Sequence, residues 1–304
     1  TRYGTVTGVQ TCALPIYKSI QTDSLQGVFT SFKKSFNAIS GSMGVTYEAT
    51  DDLHFRFNVG RGFRVPSISE LSANGVHEGT FRYEIGNPDL KPETSLQLDL
   101  GMGYESKKVG GELSLFYNYF NQFIYYRNAS NQVQVVNNTL FPVFRYVQGD
   151  ALFYGGEFSI DYHFVDQLHF ENKLSYVWAI NRETEIALPF IPPFHLNSVL
   201  SYDFIKKRHS NLKSFMIKTQ CDYFASQNRI DQFETPTASY TLFGAGITTK
   251  YESKKTAFDF YFLVNNLTNQ VYYNHLSRLK YVGIAGMGRN IIIGLSVPFG
   301  LLNP

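Results

Sequence analysis

Apolar and polar residues alternate one by one along most of this chain, over stretches longer than an ordinary globular strand. In "LHFRFNVG", Leu53, Phe55, Phe57 and Val59 fall on one face, and His54, Arg56, Asn58 and Gly60 on the other. "LQLDLGMGYE" repeats this with Leu96, Leu98, Leu100, Met102 and Tyr104 opposite Gln97, Asp99 and Glu105. "GGEFSIDYHF" sets Phe158, Ile160, Tyr162 and Phe164 against Glu157, Ser159, Asp161 and His163. "FDFYFLV" and "NIIIGLSVPF" close the series, the latter with Ile291, Ile293, Leu295, Val297 and Phe299 on its apolar side. A period of two belongs to a strand whose faces meet different surroundings, whereas a helix needs apolar residues every three or four positions. Almost no segment has helical spacing, and no apolar run is long enough for a membrane helix. The chain is expected to be all-β.

Eleven strands are expected, over residues 36–49, 53–62, 94–105, 111–127, 144–164, 168–181, 194–204, 213–225, 238–251, 257–267 and 289–299. Most reach the roughly 9 to 11 residues with which a tilted strand crosses a bilayer, against about 5 to 6 in globular proteins. The connections sort by parity. Those after the odd-numbered strands are short and polar ("TDD", "SKKVG", "VDQ", "IKKRHSN", "SKKT"), and those after the even-numbered strands are mostly long. An outer-membrane barrel has short periplasmic turns and long external loops. A soluble β-sandwich also alternates but has no reason to sort its loops, or to place Tyr104, Tyr125, Tyr126, Trp178, Tyr202 and Tyr251 near strand ends. The expectation is an antiparallel transmembrane β-barrel with a periplasmic C-terminus. Eleven is odd where bacterial barrels are even, so further strands are expected upstream.

Composition agrees. There are 27 Phe and 21 Tyr, yet mean hydropathy is −0.18, so apolar residues must be interleaved with polar ones. A formal charge of +2 excludes a nucleic-acid platform built on phosphate neutralisation. The head of the chain stands apart. "VTGVQTCALPI", Val6 to Ile16, fits neither period and holds Cys12, one of 2 cysteines. Read back into codons it is similar to a common short-read sequencing adapter, with Thr1 to Thr5 fitting the adapter's upstream end. Its polar residues exclude the unbroken apolar run of roughly 7 to 15 residues that a secretory signal needs. Residues 1–16 are therefore set aside as not native, leaving 17–304 as one domain that begins within a gene. Cys221 alone then allows neither an internal disulfide nor a cysteine metal cluster.

From Gly60 onward the sequence resembles TonB-dependent outer-membrane receptors. The matching elements are "FRVPSISEL" (63–71), "NPDLKPE" (87–93) running into an S-x-x-x-D-L-G strand, "LPFIPPFHLN" (188–197), "VNNLTNQVYYNH" (264–275) and "GRNIIIGLSVPF" (288–299). The resemblance implies a 22-stranded barrel closed by an N-terminal plug, of which these strands would be the C-terminal half. It implies energised import of a scarce ligand, most often an iron–siderophore or other metal chelate, otherwise haem, cobalamin or a glycan, with no enzyme activity and no resident cofactor. The implied partners are the TonB–ExbB–ExbD complex, acting through a plug and TonB box not found in these residues, the barrel assembly machinery and outer-membrane lipid. Phe299 corresponds to the family's terminal aromatic assembly signal, although "GLLNP" follows it.

The connection from Phe63 to Glu93 is about thirty residues, too long for a structureless loop, and is expected to be a folded external loop with a task. It offers Arg61, Arg64, His77, Glu78, Arg82, Tyr83 and Glu84. Arg and Tyr suit anionic chelates through charge-assisted and phenolic hydrogen bonds, and His with Glu suits a metal. In "NPDLKPE" the prolines fix φ and Asp89 is expected to bond nearby backbone, a structural role. Pro66 and Ser67 read as a strand exit, leaving Arg64 as that motif's ligand candidate. The second long loop, 128–144, is preceded by the candidates Tyr126 and Arg127, and the last long loop carries His275, Arg278 and Lys280. Inward polar residues (Arg56, Asp99, Glu112, Glu157, Asp161, Glu171) read as solvating a lumen rather than as catalytic pairs. No G-x-S-x-G, H-E-x-x-H or phosphate loop is present. A passive porin would share the alternation and loop parity, and an outer-membrane hydrolase would need partners among His54, His163 and His169. Neither accounts for the motif series.

Overall fold

The computed structural model describes residues 5–22, 32–205, 211–253 and 257–298. The strands are β1 (Thr5–Thr22), β2 (Phe32–Glu48), β3 (Leu53–Arg64), β4 (Asn74–His77), β5 (Arg82–Ile85), β6 (Glu93–Glu105), β7 (Val109–Val136), β8 (Thr139–Val165), β9 (Leu168–Asn181), β10 (His195–Asp203), β11 (Leu212–Phe224), β12 (Tyr240–Glu252), β13 (Ala257–Asn265) and β14 (Asn290–Ser296). One short helix, α1 (Ile68–Ser72), lies in the connection after β3. The sheet order is β1-β2-β3-β6-β7-β8-β9-β10-β11-β12-β13-β14, every neighbour antiparallel to the next. It is an all-β antiparallel sheet, and among the described residues β1 and β14 are its unpaired edges.

All eleven expected strands are present, as β2, β3 and β6 to β14. Three more appear. β4 and β5 form a hairpin inside the 63–93 connection, with β5 docking in parallel on β8, so that loop is folded as expected. β1 lies largely in the adapter-like head and pairs along β2. A ladder is made by main-chain groups, so this pairing does not test where that segment came from. Pro15 sits within β1 facing Ile39, tolerable because β1 is an edge here.

The expected loop at 128–144 is a correction. β7 runs on to Val136 and β8 starts at Thr139, so this stretch is an extended hairpin. Asn137 and Asn138 have φ of 49° and 61°, the doubly left-handed geometry of a type I′ turn, which asparagine tolerates. The Ser and Asn residues read as loop are a bulge: the register shifts between Asn128 and Val133, with Ser130 and Asn131 at φ of 54° and 60°.

The two faces of the sheet have opposite chemistry. Phe57, Leu100 and Ile293 are 46%, 55% and 67% exposed, an apolar surface that water would penalise and lipid would not. On the other face Arg56 pairs with Glu112 at 2.6 Å, Asn58 donates to Asp99 at 3.0 Å, and Asp222 accepts from Asn197 and Gln220, both at 2.7 Å. Many of the inward polar residues therefore pair with one another, although Asp161 Oδ1 and Asn118 Oδ1 find no partner among the described residues. Close packing is concentrated at the long-loop end. There Leu188 and Ile191 of "LPFIPPF" bury against Ala151 and Ala179, and Leu71, Leu90 and Ile124 form a second cluster. Phe299 lies outside the described residues.

Candidate functional site

Two of the quoted motifs form one clamp. Ser67 caps α1, its hydroxyl accepting from Glu70 N, while Glu70 reaches back to Ser67 N at 2.7 Å in a capping box. Arg64 grips that same Glu70 at 2.8 and 2.9 Å, and at 2.9 Å it also grips Glu93, the last residue of "NPDLKPE". Glu93 accepts from Ile124 N at 2.9 Å, and Asn87 N donates to Glu70 O at 2.8 Å. Leu71 and Leu90 fill the space beneath. The Asx turn in "NPDLKPE" uses the Asn87 side chain, which accepts from Asp89 N, rather than the Asp89 carboxylate. Arg64 thus uses both terminal nitrogens to hold the base of the loop together.

Above this clamp, side chains from four connections meet. Arg82 of β5 is 5% exposed; its Nε donates to Glu84 Oε1 at 2.5 Å, and its guanidinium lies 4.1 Å from the Tyr126 ring centre and 5.5 Å from that of Phe144. Arg278, from the last long connection, lies 4.8 Å from the same Tyr126 ring, bonds to its hydroxyl and approaches Phe190 at 5.6 Å. Lys280 Nζ sits 5.3 Å from Tyr281 and 5.8 Å from Phe190. Phe190 and Tyr126 rings are 5.6 Å apart, and Phe144 meets Tyr281 edge-on at 6.5 Å. Tyr146 donates to Glu84 at 3.0 Å. Each cation over an aromatic face contributes about 0.5 to 2 kcal/mol, more as water is excluded.

Charge in this cluster is not balanced. Arg82 pairs with Glu84, Arg127 with Asp231 at 3.7 Å, and Lys280 with Glu234 at 3.1 Å. Arg278 has no carboxylate in ion-pair range among the described residues. Burial, then the nearby Arg82, lower its pKa, but a guanidinium remains charged. The cluster therefore presents one surplus cation beside aromatic faces.

Its floor is a buried triad. The side chains of Glu234, His275 and Lys280 are 2%, 1% and 3% exposed. Glu234 accepts from Phe190 N at 3.2 Å, and Thr237 Oγ1 lies 3.0 Å from His275 Nδ1. Lys280 Nζ can only donate, and it points at His275 Nδ1 at 3.3 Å, which assigns the ring proton to Nε2; that nitrogen lies 3.1 Å from Glu234 Oε1 without the alignment of a hydrogen bond. Burial raises the Glu234 pKa, but the His275 ring and Lys280 outweigh it and the net shift is downward. Burial lowers the Lys280 pKa despite Glu234, and Asp231 is raised by burial despite Arg127.

Of the remaining expected site residues, Arg61 is exposed on β3, away from the cluster's ring contacts. His77 ends β4 with its Nδ1 3.0 Å from Thr80 Oγ1, and the Tyr83 hydroxyl donates to Asn74 at 2.8 Å. The Glu78 side chain lies outside what the structure describes. Arg82, Tyr126, Arg127, His275, Arg278 and Lys280 are brought together. Phe144, Asp231, Glu234 and Tyr281 join them without having been singled out, because no local pattern marks them, and Phe190 joins them from "LPFIPPFHLN", a stretch noted for its resemblance and not as a contact.

A family model described as TonB dependent receptor-like, beta-barrel, matches residues 16–267. A probable TonB-dependent siderophore receptor, PirA, of Acinetobacter baumannii is 24% identical over 233 residues, covering 69% of this chain and 31% of PirA. The iron-regulated outer membrane virulence protein of Vibrio cholerae is 26% identical over 250 residues, covering 79% and 36%. The chain thus spans about a third of the length of these curated relatives. Among solved structures, the copper transporter OprC superposes with a TM-score of 0.75 at 19% identity, covering 96% of this chain and 45% of OprC. PirA from Acinetobacter baumannii superposes with a TM-score of 0.61 at 17% identity, covering 94% and 45%.

Proposed function

We propose that this chain, which belongs to the TonB-dependent receptor β-barrel family of the outer membrane, contributes to TonB-energised uptake of an anionic metal chelate, most simply an iron–siderophore. The observation that carries this reading is the cluster of Arg82, Arg278 and Lys280 on the faces of Tyr126, Phe144, Phe190 and Tyr281, with Arg278 left without a carboxylate among the described residues. An anionic, aromatic-bearing chelate matches it twice, through charge-assisted hydrogen bonds and through ring contact. In this reading the long-connection end is extracellular, the short-turn end and the C-terminus are periplasmic, and energy arrives through TonB pulling on a plug. Residues 17–304 are the receptor portion and the adapter-like residues 1–16 stand outside it; the family match beginning at residue 16 supports that division.

The test is uptake of radiolabelled ferric siderophores by cells expressing the complete receptor, with and without TonB. Energy-dependent uptake that falls at least tenfold in apparent affinity on Arg278→Ala is expected. Uptake indifferent to TonB, together with steady ion conductance in a planar bilayer, would replace this reading with a passive channel.

A further inference from the structure

We propose that the β8–β9 hairpin carries a binding site for a divalent late first-row transition metal, built from Asp161, His163 and His169, at the end of the sheet opposite the aromatic cluster. The site follows from strand geometry. Asp161 and His163 are two apart on β8 and so share a face. His169 is the cross-strand partner of His163, and Glu171 that of Asp161, which puts all four on that face next to the Asp166–Gln167 turn. One ligand atom each from Asp161, His163 and His169 already lie within 4.8 Å of one another. His163 Nε2 is 3.3 Å from Asp161 Oδ2, and the two imidazoles stand perpendicular with centres 4.2 Å apart. A four-coordinate metal with bonds of about 2.0 to 2.2 Å needs ligand atoms about 3.4 Å apart. Half-exposed side chains on a fixed ladder reach that spacing by small χ rotations, with no movement of backbone.

The surroundings favour a cation. Asp161 Oδ1 is shielded from solvent and has no hydrogen-bond partner, so a lone pair is held ready without a use. The neighbouring positive charges are already matched: Lys173 pairs with Glu171 at 2.5 Å and Arg56 with Glu112 at 2.6 Å. A 290 Å³ hollow lined by His54, Glu112, Asp161, His163 and Glu171 adjoins the group and leaves room for water as a further ligand. Two imidazoles select zinc, copper or nickel over magnesium or calcium, which prefer oxygen alone. This inference does not depend on the chelate reading above.

The experiment is a zinc titration of the full 304-residue chain in detergent micelles, strand content checked by circular dichroism. One zinc per chain is expected, with affinity reduced at least tenfold by His163→Gln and by His169→Gln, reduced less by Asp161→Asn, and not competed by a large excess of magnesium. Should a variant misfold, the unmodified chain decides the matter alone: zinc should protect His163 and His169, but not exposed His77, from a histidine-acylating reagent read by peptide mass spectrometry. Zinc binding unchanged when His163→Gln and His169→Gln are combined, absence of protection at both histidines, or displacement by magnesium would overturn the proposal.

Discussion

Replacing Glu234 by Gln tests whether the loops at the long-connection end are held by buried charge. The side chains keep one shape, but Lys280, 3% exposed, loses its counter-ion. Two routes are then open to the variant. It can keep a buried ammonium with neutral acceptors only, the new amide oxygen, Thr235 O at 3.2 Å and His275 Nδ1, or it can release a proton. The second route sets a ceiling: deprotonating an amine of ordinary pKa about 10.4 at pH 7 costs about 4.6 kcal/mol, at 1.36 kcal/mol per unit. Breaking a buried pair by removing one partner costs about 3 to 5 kcal/mol. The expected loss is therefore about 3 to 4.6 kcal/mol, confined to the segments 225–239 and 266–289. When reclosing outpaces cleavage, proteolysis follows the population of the open form. The variant should then be cut within 225–239 about 10² to 10³ times faster than the parent.

The pH dependence has a definite sign. Glu234 has a folded pKa below its ordinary value, so its contribution is present above about pH 4.3 and is lost as pH falls through the folded pKa. The parent should approach the variant's cleavage rate in acid and hold the full difference at pH 7. Adding Lys280→Met to Glu234→Gln removes both charges and should restore most of the protection. A Gln variant cut within twofold of the parent at pH 7, or a double variant worse than the single, would show that charge pairing does not close these loops.

Three further outcomes are expected. Ile293→Arg, on the apolar face near the middle of β14, should cost about 2 to 4 kcal/mol and abolish the heat-modifiable folded band on a gel. Arg64→Ala should destabilise the 63–93 connection by about 1 to 3 kcal/mol in a denaturant titration, because it leaves Glu93, with its side chain 8% exposed, without its guanidinium partner; Arg64→Lys, which cannot reach Glu70 and Glu93 with separate nitrogens, should recover less than half. Asn137→Ala with Asn138→Ala should cost about 1 to 2 kcal/mol per residue at the hairpin tip, seen as faster amide exchange across 132–142, whereas Asn138→Gly should slow it.

The strands were legible because each separates two media, and a period of two records that separation residue by residue. β2, β3 and β6 to β14 could be read from single stretches. The outer hairpin was not, because Asn128, Ser130 and Asn131 carry loop chemistry while serving as a bulge within one ladder. Alternation resumes in Val133 and Val135, a signal too short to outweigh those three polar residues. Site residues divide in the same way. Arg82 announced itself by residue type on an expected loop, and Tyr126 at the end of an expected strand leading into one. Glu234 and Phe190 did not, since their meaning lies in meeting His275, Lys280 and Tyr126 across long separations, which only the order of strands in the sheet determines.

Phe190 of "LPFIPPF" apart, which lies in the aromatic cluster, the stretches that made the chain recognisable serve in the structure as joints. "FRVPSISEL" and "NPDLKPE" meet through Arg64, Glu70 and Glu93. "LPFIPPF" buries Leu188 and Ile191 on two alanines. "VNNLTNQ" folds around Asn266, which donates to Gln270 O at 2.9 Å and Met287 O at 3.1 Å. Each ties a long connection to the strand below it, where a backbone leaving the ladder must find new partners for its N–H and C=O groups. Such joints demand particular residues whatever the loops above them carry. The aromatic and cationic cluster demands only a chemistry, which arginines and rings can supply from several positions. This difference explains why family membership could be read from short motifs and the ligand could not, and why the test of the ligand rests on Arg278 rather than on any motif residue.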